Sequence, residues 1–129
     1  MFRHAHSRPV VLLCAVLAVA ALAAAPAFAA VVKYDSKVTI SSKDPAFHGH
    51  VRSENHACEV QRTVKLYKQR PGDDKLLGKD KTGGAGRWEV DVDPLKSGAY
   101  YAKVTRREEG TAGTTFVCRR DTSPTVVID

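Results

Sequence analysis

The sequence predicts an all-β fold, an antiparallel two-sheet sandwich of seven to eight short strands carrying one disulfide. Three observations lead there. Beyond Ala30 the apolar residues recur with a period of two, turn-forming residues interrupt them at short intervals, and no stretch offers ten residues of helical periodicity. With 129 residues, 43% of them hydrophobic and 26% charged, the chain has the composition of one small globular domain, which excludes a disordered tail, a coiled coil and a multi-span membrane protein.

The first element is a targeting segment. Arg3 and Arg8, with no acidic neighbour, precede a continuous apolar run from Val10 to Ala25, and Ala27-Phe28-Ala29 supplies an Ala-x-Ala cleavage pattern. Residues 1–29 are expected to be a cleaved signal peptide and residues 30–129 a single β-sandwich domain, secreted to the extracellular space or a periplasm. The apolar run is shorter than the ~20 residues of a spanning helix, so no integral membrane span is expected after processing. Leu13 stands where a lipid-attachment signal before Cys14 would need Gly, Ala or Ser, which excludes lipidation.

Processing changes the cysteine count. Cys14 leaves with the signal, and Cys58 with Cys118 remains as one even pair in an oxidising compartment, where a disulfide is expected. Closing that loop of about 60 residues restricts the unfolded chain by roughly 4 kcal/mol. Neither cysteine belongs to a CxxC pair, so a thiol catalyst is not indicated.

Each strand has its own alternation. Val38-x-Ile40, Phe47-x-Gly49-x-Val51, Val64-x-Leu66, Trp88-x-Val90-x-Val92, Tyr100-x-Ala102-x-Val104, Phe116-x-Cys118 and Val126-x-Ile128 each place apolar residues on one face. Turns fall between them at Asp44-Pro45, Pro71-Gly72-Asp73-Asp74, Gly83-Gly84-Ala85-Gly86, Ser97-Gly98, Gly110-Thr111-Ala112-Gly113 and Ser123-Pro124. Two residues have structural roles. Leu95-Lys96-Ser97-Gly98-Ala99-Tyr100 is similar to the tyrosine corner of immunoglobulin-like sandwiches, in which the hydroxyl bonds back to upstream backbone, and Trp88 is expected as a core anchor.

The same strands resemble a family. Gly49-His50-Val51-Arg52-Ser53, Val64-Lys65-Leu66, Thr82 followed by Gly86-Arg87-Trp88-Glu89-Val90, and Gly98-Ala99-Tyr100-Tyr101-Ala102-Lys103-Val104 look like the strand sequence of carboxypeptidase regulatory-like domains. The resemblance covers about residues 47 to 104 and implies an immunoglobulin-like or prealbumin-like sandwich serving as a non-catalytic module. The chain departs from that pattern in the longer segment from Glu54 to Arg62, which carries Cys58, and in the bridge to Cys118.

Catalytic motifs are missing from the sequence. No GxSxG, HExxH or GxxxxGK[ST] occurs, and Gly83-Gly84-Ala85-Gly86 precedes a strand rather than a helix. Glu89, Asp91 and Asp93 alternate along one strand, the pattern of a solvated face, and no enzyme activity or cofactor is expected. Loss of Arg3 and Arg8 takes two from the 20 basic residues against 14 acidic ones and lowers the formal net charge from +6 to +4. That mild basicity, spread along the chain, does not indicate nucleic acid, although it favours anionic wall polymers or membrane surfaces.

Two surfaces remain as candidates. His48 and His50 leave one face of their strand and His56 follows, so a zinc or copper site with Glu89 or Asp91 on a neighbouring strand is one reading. Simple pairing of exposed histidines with carboxylates is the other. Tyr67 and Tyr101 alternate out of phase with Leu66 and Tyr100 and should face outward beside Lys65 and Lys103. If those strands are neighbours they form an aromatic and basic patch suited to a cell-wall glycan or an acidic extracellular protein, with ordinary cross-strand packing as the competing account. The expected function is a secreted binding or interaction module; extracellular metal binding and a small secreted inhibitor or effector are the alternatives.

Overall fold

Strand β4, Ala46–Arg52, buries Phe47, Gly49 and Val51 and leaves His48 and His50 half-buried on the other side, so the period of two in the sequence becomes a core face. The structure, a computed structural model, describes residues 30–111 and 113–129; the expected signal peptide, residues 1–29, lies outside the described residues. Two short strands, β2 (Lys37–Val38) and β3 (Ser41–Lys43), pair with successive stretches of one edge of β4, and β7 (Arg87–Asp91) pairs with the other edge. All three pairings are antiparallel.

The second sheet is built on β5 (Thr63–Lys68), which lies between β6 (Lys75–Lys81) and β8 (Gly98–Val104). β11 (Asp121–Thr122) and β12 (Val126–Ile128) share the far edge of β8 as β2 and β3 share that of β4. The two sheets enclose one core of Val38, Phe47, Val51, Trp88 and Val90 from the first and Val64, Leu66, Tyr100, Ala102 and Val104 from the second. Phe47 and Tyr100 meet across it with ring centroids 4.6 Å apart. The fold is the expected all-β sandwich, with the strands on two edges interrupted.

A third sheet was not foreseen. β9 (Arg107–Thr111) and β10 (Thr114–Cys118) form a hairpin, and β1 (Ala30–Tyr34) adds to β10 in parallel. The expected strand Phe116-x-Cys118 therefore belongs to this sheet and not to the sandwich, and the described residues hold twelve strands, against the seven to eight expected. None of β1, β9 and β10 contributes to the sandwich core, and Val31 and Val32 are exposed. This sheet is an arm.

Covalent and polar links hold the arm. The Cys58–Cys118 disulfide, Cα atoms 5.4 Å apart, joins β10 to a 3-10 turn, His56–Cys58, whose start is capped by Asn55 Oδ1 accepting from Ala57 N at 3.0 Å. Arg107 of β9 donates to the carbonyls of Val60 (2.8 Å), Gln61 (3.0 Å) and Ala57. Arg62 lies fully buried between arm and sandwich. Its Nη1 donates to Ser36 Oγ (2.8 Å) and the Cys58 carbonyl (2.7 Å), and its Nη2 donates to the carbonyls of Thr105 (2.8 Å) and Arg119 (3.0 Å). Burial, with Arg107 nearby, pulls Arg62 down to about 10, still far above neutral pH, so a charged guanidinium is solvated there by neutral oxygens alone.

Gly49 is required where it stands. A Cβ there would lie 1.9 Å from the Thr39 carbonyl oxygen, which is also the acceptor for Trp88 Nε1 at 3.1 Å. The indole is thereby buried with its donor satisfied, as expected for a core anchor. Tyr100 is buried and its hydroxyl donates to the Lys96 carbonyl, the tyrosine-corner bond. No helix among the described residues is long and apolar enough to cross a membrane.

Candidate binding face

The outer side of the second sheet gathers what the sequence scatters. Val64 and Leu66 of β5 point into the core, so Thr63, Lys65 and Tyr67 point away from it. In the observed register Lys65 stands opposite Lys79 of β6 on one side and Lys103 of β8 on the other. Three lysines thus form a row across three adjacent strands. Among the described residues none of the three has a carboxylate within ion-pair distance. Like charges directly opposite one another oppose sheet formation, so the core beneath must offset them.

Tyr67 and Tyr101 also stand directly opposite each other. Their rings are nearly parallel, 12° apart in plane with centroids 5.4 Å apart, and the Lys103 ammonium lies 5.3 Å from one centroid and 5.7 Å from the other. Strand pairing has brought the four expected patch residues together. Tyr101, expected to face outward, is on the outer side but only 7% exposed, because Tyr67 and Lys103 cover it. The outermost group of the patch is an ammonium and not a bare ring.

Asp74, in the turn before β6, completes this corner. It accepts from the Tyr101 hydroxyl at 2.5 Å, and that bond, aided by Arg70 N–H, lowers the Asp74 carboxyl below the usual carboxylate range. The same bond, with burial, pushes Tyr101 up to about 12. At the Lys103 end of the row a cleft of about 490 Å³ opens beside Lys65, Tyr67 and Lys103 and is lined further on by Arg106 and Arg120. Its one acidic residue, Asp121, has a carboxylate oxygen engaged by Val38 N at 2.9 Å.

The histidines do not converge. His48 faces Glu89 across β4 and β7 as the sequence suggested, but His50 faces Arg87. Burial first, then Arg52, Arg87 and His48, lowers His50 from its ordinary value. His56 sits in the 3-10 turn with Nδ1 3.1 Å from Glu59 Oε1. Of the two readings of His48, His50 and His56, a metal site or simple pairing of histidines with carboxylates, the second describes His56 beside Glu59. Among the described residues no three His, Cys, Asp or Glu side chains are placed to hold a metal ion, because the register sets a cation beside His50 and the turn carries His56 to Glu59.

Sequence reading missed three contributors. Lys79 extends the lysine row, Arg120 lines the cleft and Arg62 anchors the arm. Arg62 did leave a signal, since it is in period-two phase with Val64 and Leu66 and therefore on the buried side. Lys79 and Arg120 left none, because their neighbours come from distant parts of the chain. No protein-family model matches the chain, and no curated protein matches its sequence.

Proposed function

We propose that the chain is an exported, non-catalytic binding module whose ligand surface is the outer face of β5, β6 and β8. The observation that carries this reading is the row of Lys79, Lys65 and Lys103 flanking the paired Tyr67 and Tyr101. Polar and charged side chains are held there on a rigid sheet, and the repulsion between lysines that face one another is one that a bound anion would relieve. Export to the extracellular space or a periplasm is supported by the leader-like composition of residues 1–29 together with the Cys58–Cys118 disulfide. The likeness of residues 47 to 104 to carboxypeptidase regulatory-like domains agrees with a binding role rather than catalysis.

Affinity capture from cell-envelope material tests the reading. Wild-type protein should retain a ligand that the Tyr67→Ala and Lys103→Ala variants release, and equal retention by all three discards this face. Mass determination of the exported protein should find an N-terminus at Ala30; an intact leader on protein recovered outside the cell would remove the export part of the proposal.

A further inference from the structure

We infer that this face binds a linear acidic carbohydrate polymer, each repeat of which bears a carboxylate or a phosphate. The inference rests on the proposed binding role and names its ligand class. Strands in a sheet are ~4.8 Å apart, so the row from Lys79 through Lys65 to Lys103 offers cations along roughly 10 Å of surface. A single small anion could bridge two neighbouring lysines but would not span the row. A chain with an anion on each repeat would meet all three and continue into the cleft.

The cleft carries the same sign. Arg120 has no carboxylate within ion-pair distance among the described residues, and Asp121 is turned to backbone. Arg106 is paired with Glu108 at 2.9 Å, both side chains being half exposed, a pairing weak enough for a ligand to displace. Anions from the ligand would relieve the repulsion between lysines that stand directly opposite one another.

The tyrosines argue against the other polyanion. Proteins that bind single-stranded nucleic acid present aromatic faces for bases to stack on. Here Tyr101 is covered and the ammonium of Lys103 lies over both rings, so the aromatic pair serves to hold a cation in place. What the ligand meets is charge.

Calorimetric titration of the purified, disulfide-bonded protein with four probes tests this. The probes are oligogalacturonate, a glycerol phosphate oligomer, neutral dextran and oligothymidylate. Binding to oligogalacturonate or to glycerol phosphate is expected, with the preferred one identifying the anion, and with affinity falling roughly tenfold or more between 50 and 200 mM salt. Lys65→Gln and Lys79→Gln should each weaken it by about threefold or more, while Lys43→Gln and Lys96→Gln, which remove the same charge elsewhere, should not. Thermal unfolding of each variant verifies that it is folded.

Several outcomes overturn the inference: no binding of either acidic probe at 50 mM salt, equal loss in the control variants, dextran bound as tightly, or oligothymidylate bound more tightly than both. A neutral glycan or a protein retained through Tyr67 and indifferent to Lys65→Gln and Lys79→Gln would overturn it while leaving the binding-module reading in place. Failure to capture any ligand through this face would remove both.

Discussion

The guanidinium of Arg62 donates to the carbonyl oxygen of Cys58 at 2.7 Å, so a fully buried cation sits against one end of the disulfide. Its second terminal nitrogen reaches the carbonyl of Arg119, the residue after Cys118, and ties down the other end. Arm and sandwich thus meet at a polar knot in which the carbonyls of Cys58, Thr105 and Arg119 share one side-chain donor, Arg62.

Arg62→Ala should destabilise the protein by roughly 3 kcal/mol or more, since it strands buried carbonyl oxygens and opens a cavity. Arg62→Lys keeps the charge with fewer donors and a different shape, and should fall between. Urea unfolding midpoints rank the three proteins; an unchanged midpoint in Arg62→Ala would show the knot to be dispensable.

Removal of the disulfide should act most strongly on the arm. With the cysteines 60 positions apart, a Cys58→Ala, Cys118→Ala variant should lose roughly 4 kcal/mol. Since β1, β9 and β10 share no core with the sandwich, their amides should lose hydrogen-exchange protection before those of β4, β5, β7 and β8. Uniform loss across all strands would mean that the arm and the sandwich unfold as one unit.

The Tyr101 and Asp74 pair predicts stability against pH. The Asp74 carboxyl is lowered by folding, so its contribution is complete above the ordinary carboxylate pKa and is lost as pH falls through the lowered value. Tyr101 is an acid raised from 10.0 to about 12, so its contribution is complete below pH 10 and is lost as pH rises toward 12. The difference in Tm between wild type and Tyr101→Phe should therefore be greatest from mildly acidic pH to pH 10 and shrink on both sides. A difference that does not vary with pH would show that the hydroxyl acts without the carboxylate.

Gly49→Ala should cost roughly 3 kcal/mol, because its Cβ cannot share space with the Thr39 carbonyl oxygen and β4 must shift away from it. The Trp88 to Thr39 hydrogen bond would be lost in the same movement. Urea titration followed by the fluorescence of Trp88, the only tryptophan, reads both effects. A wild-type midpoint with unchanged emission would contradict this packing.

The sandwich was legible because each of its buried strands repeats apolar residues at every second position, a local pattern that needs no partner to be recognised. β6 and β9 escaped notice for the opposite reason. Lys75–Lys81 is an edge strand whose pairing with β5 shifts register, and Arg107–Thr111 belongs to the arm, so neither needs a regular apolar face. Tyr100 and Trp88 could be assigned from sequence because a Gly turn and a core phase fix their surroundings, whereas His56 could not, because its partner Glu59 is chosen by the turn.

From its amino-acid order alone this chain settles its strand class, its cysteine pair, the residues that enter the core and the direction in which Lys65 and Tyr67 point, since all of these follow from period, parity and turn chemistry. Charge that is diffuse along the chain becomes a row only when β6, β5 and β8 align Lys79, Lys65 and Lys103. Register likewise separates His50 from a carboxylate, covers Tyr101 and hides Arg62 at the root of the arm. Alternation says which face a side chain takes; only long-range pairing says what stands beside it.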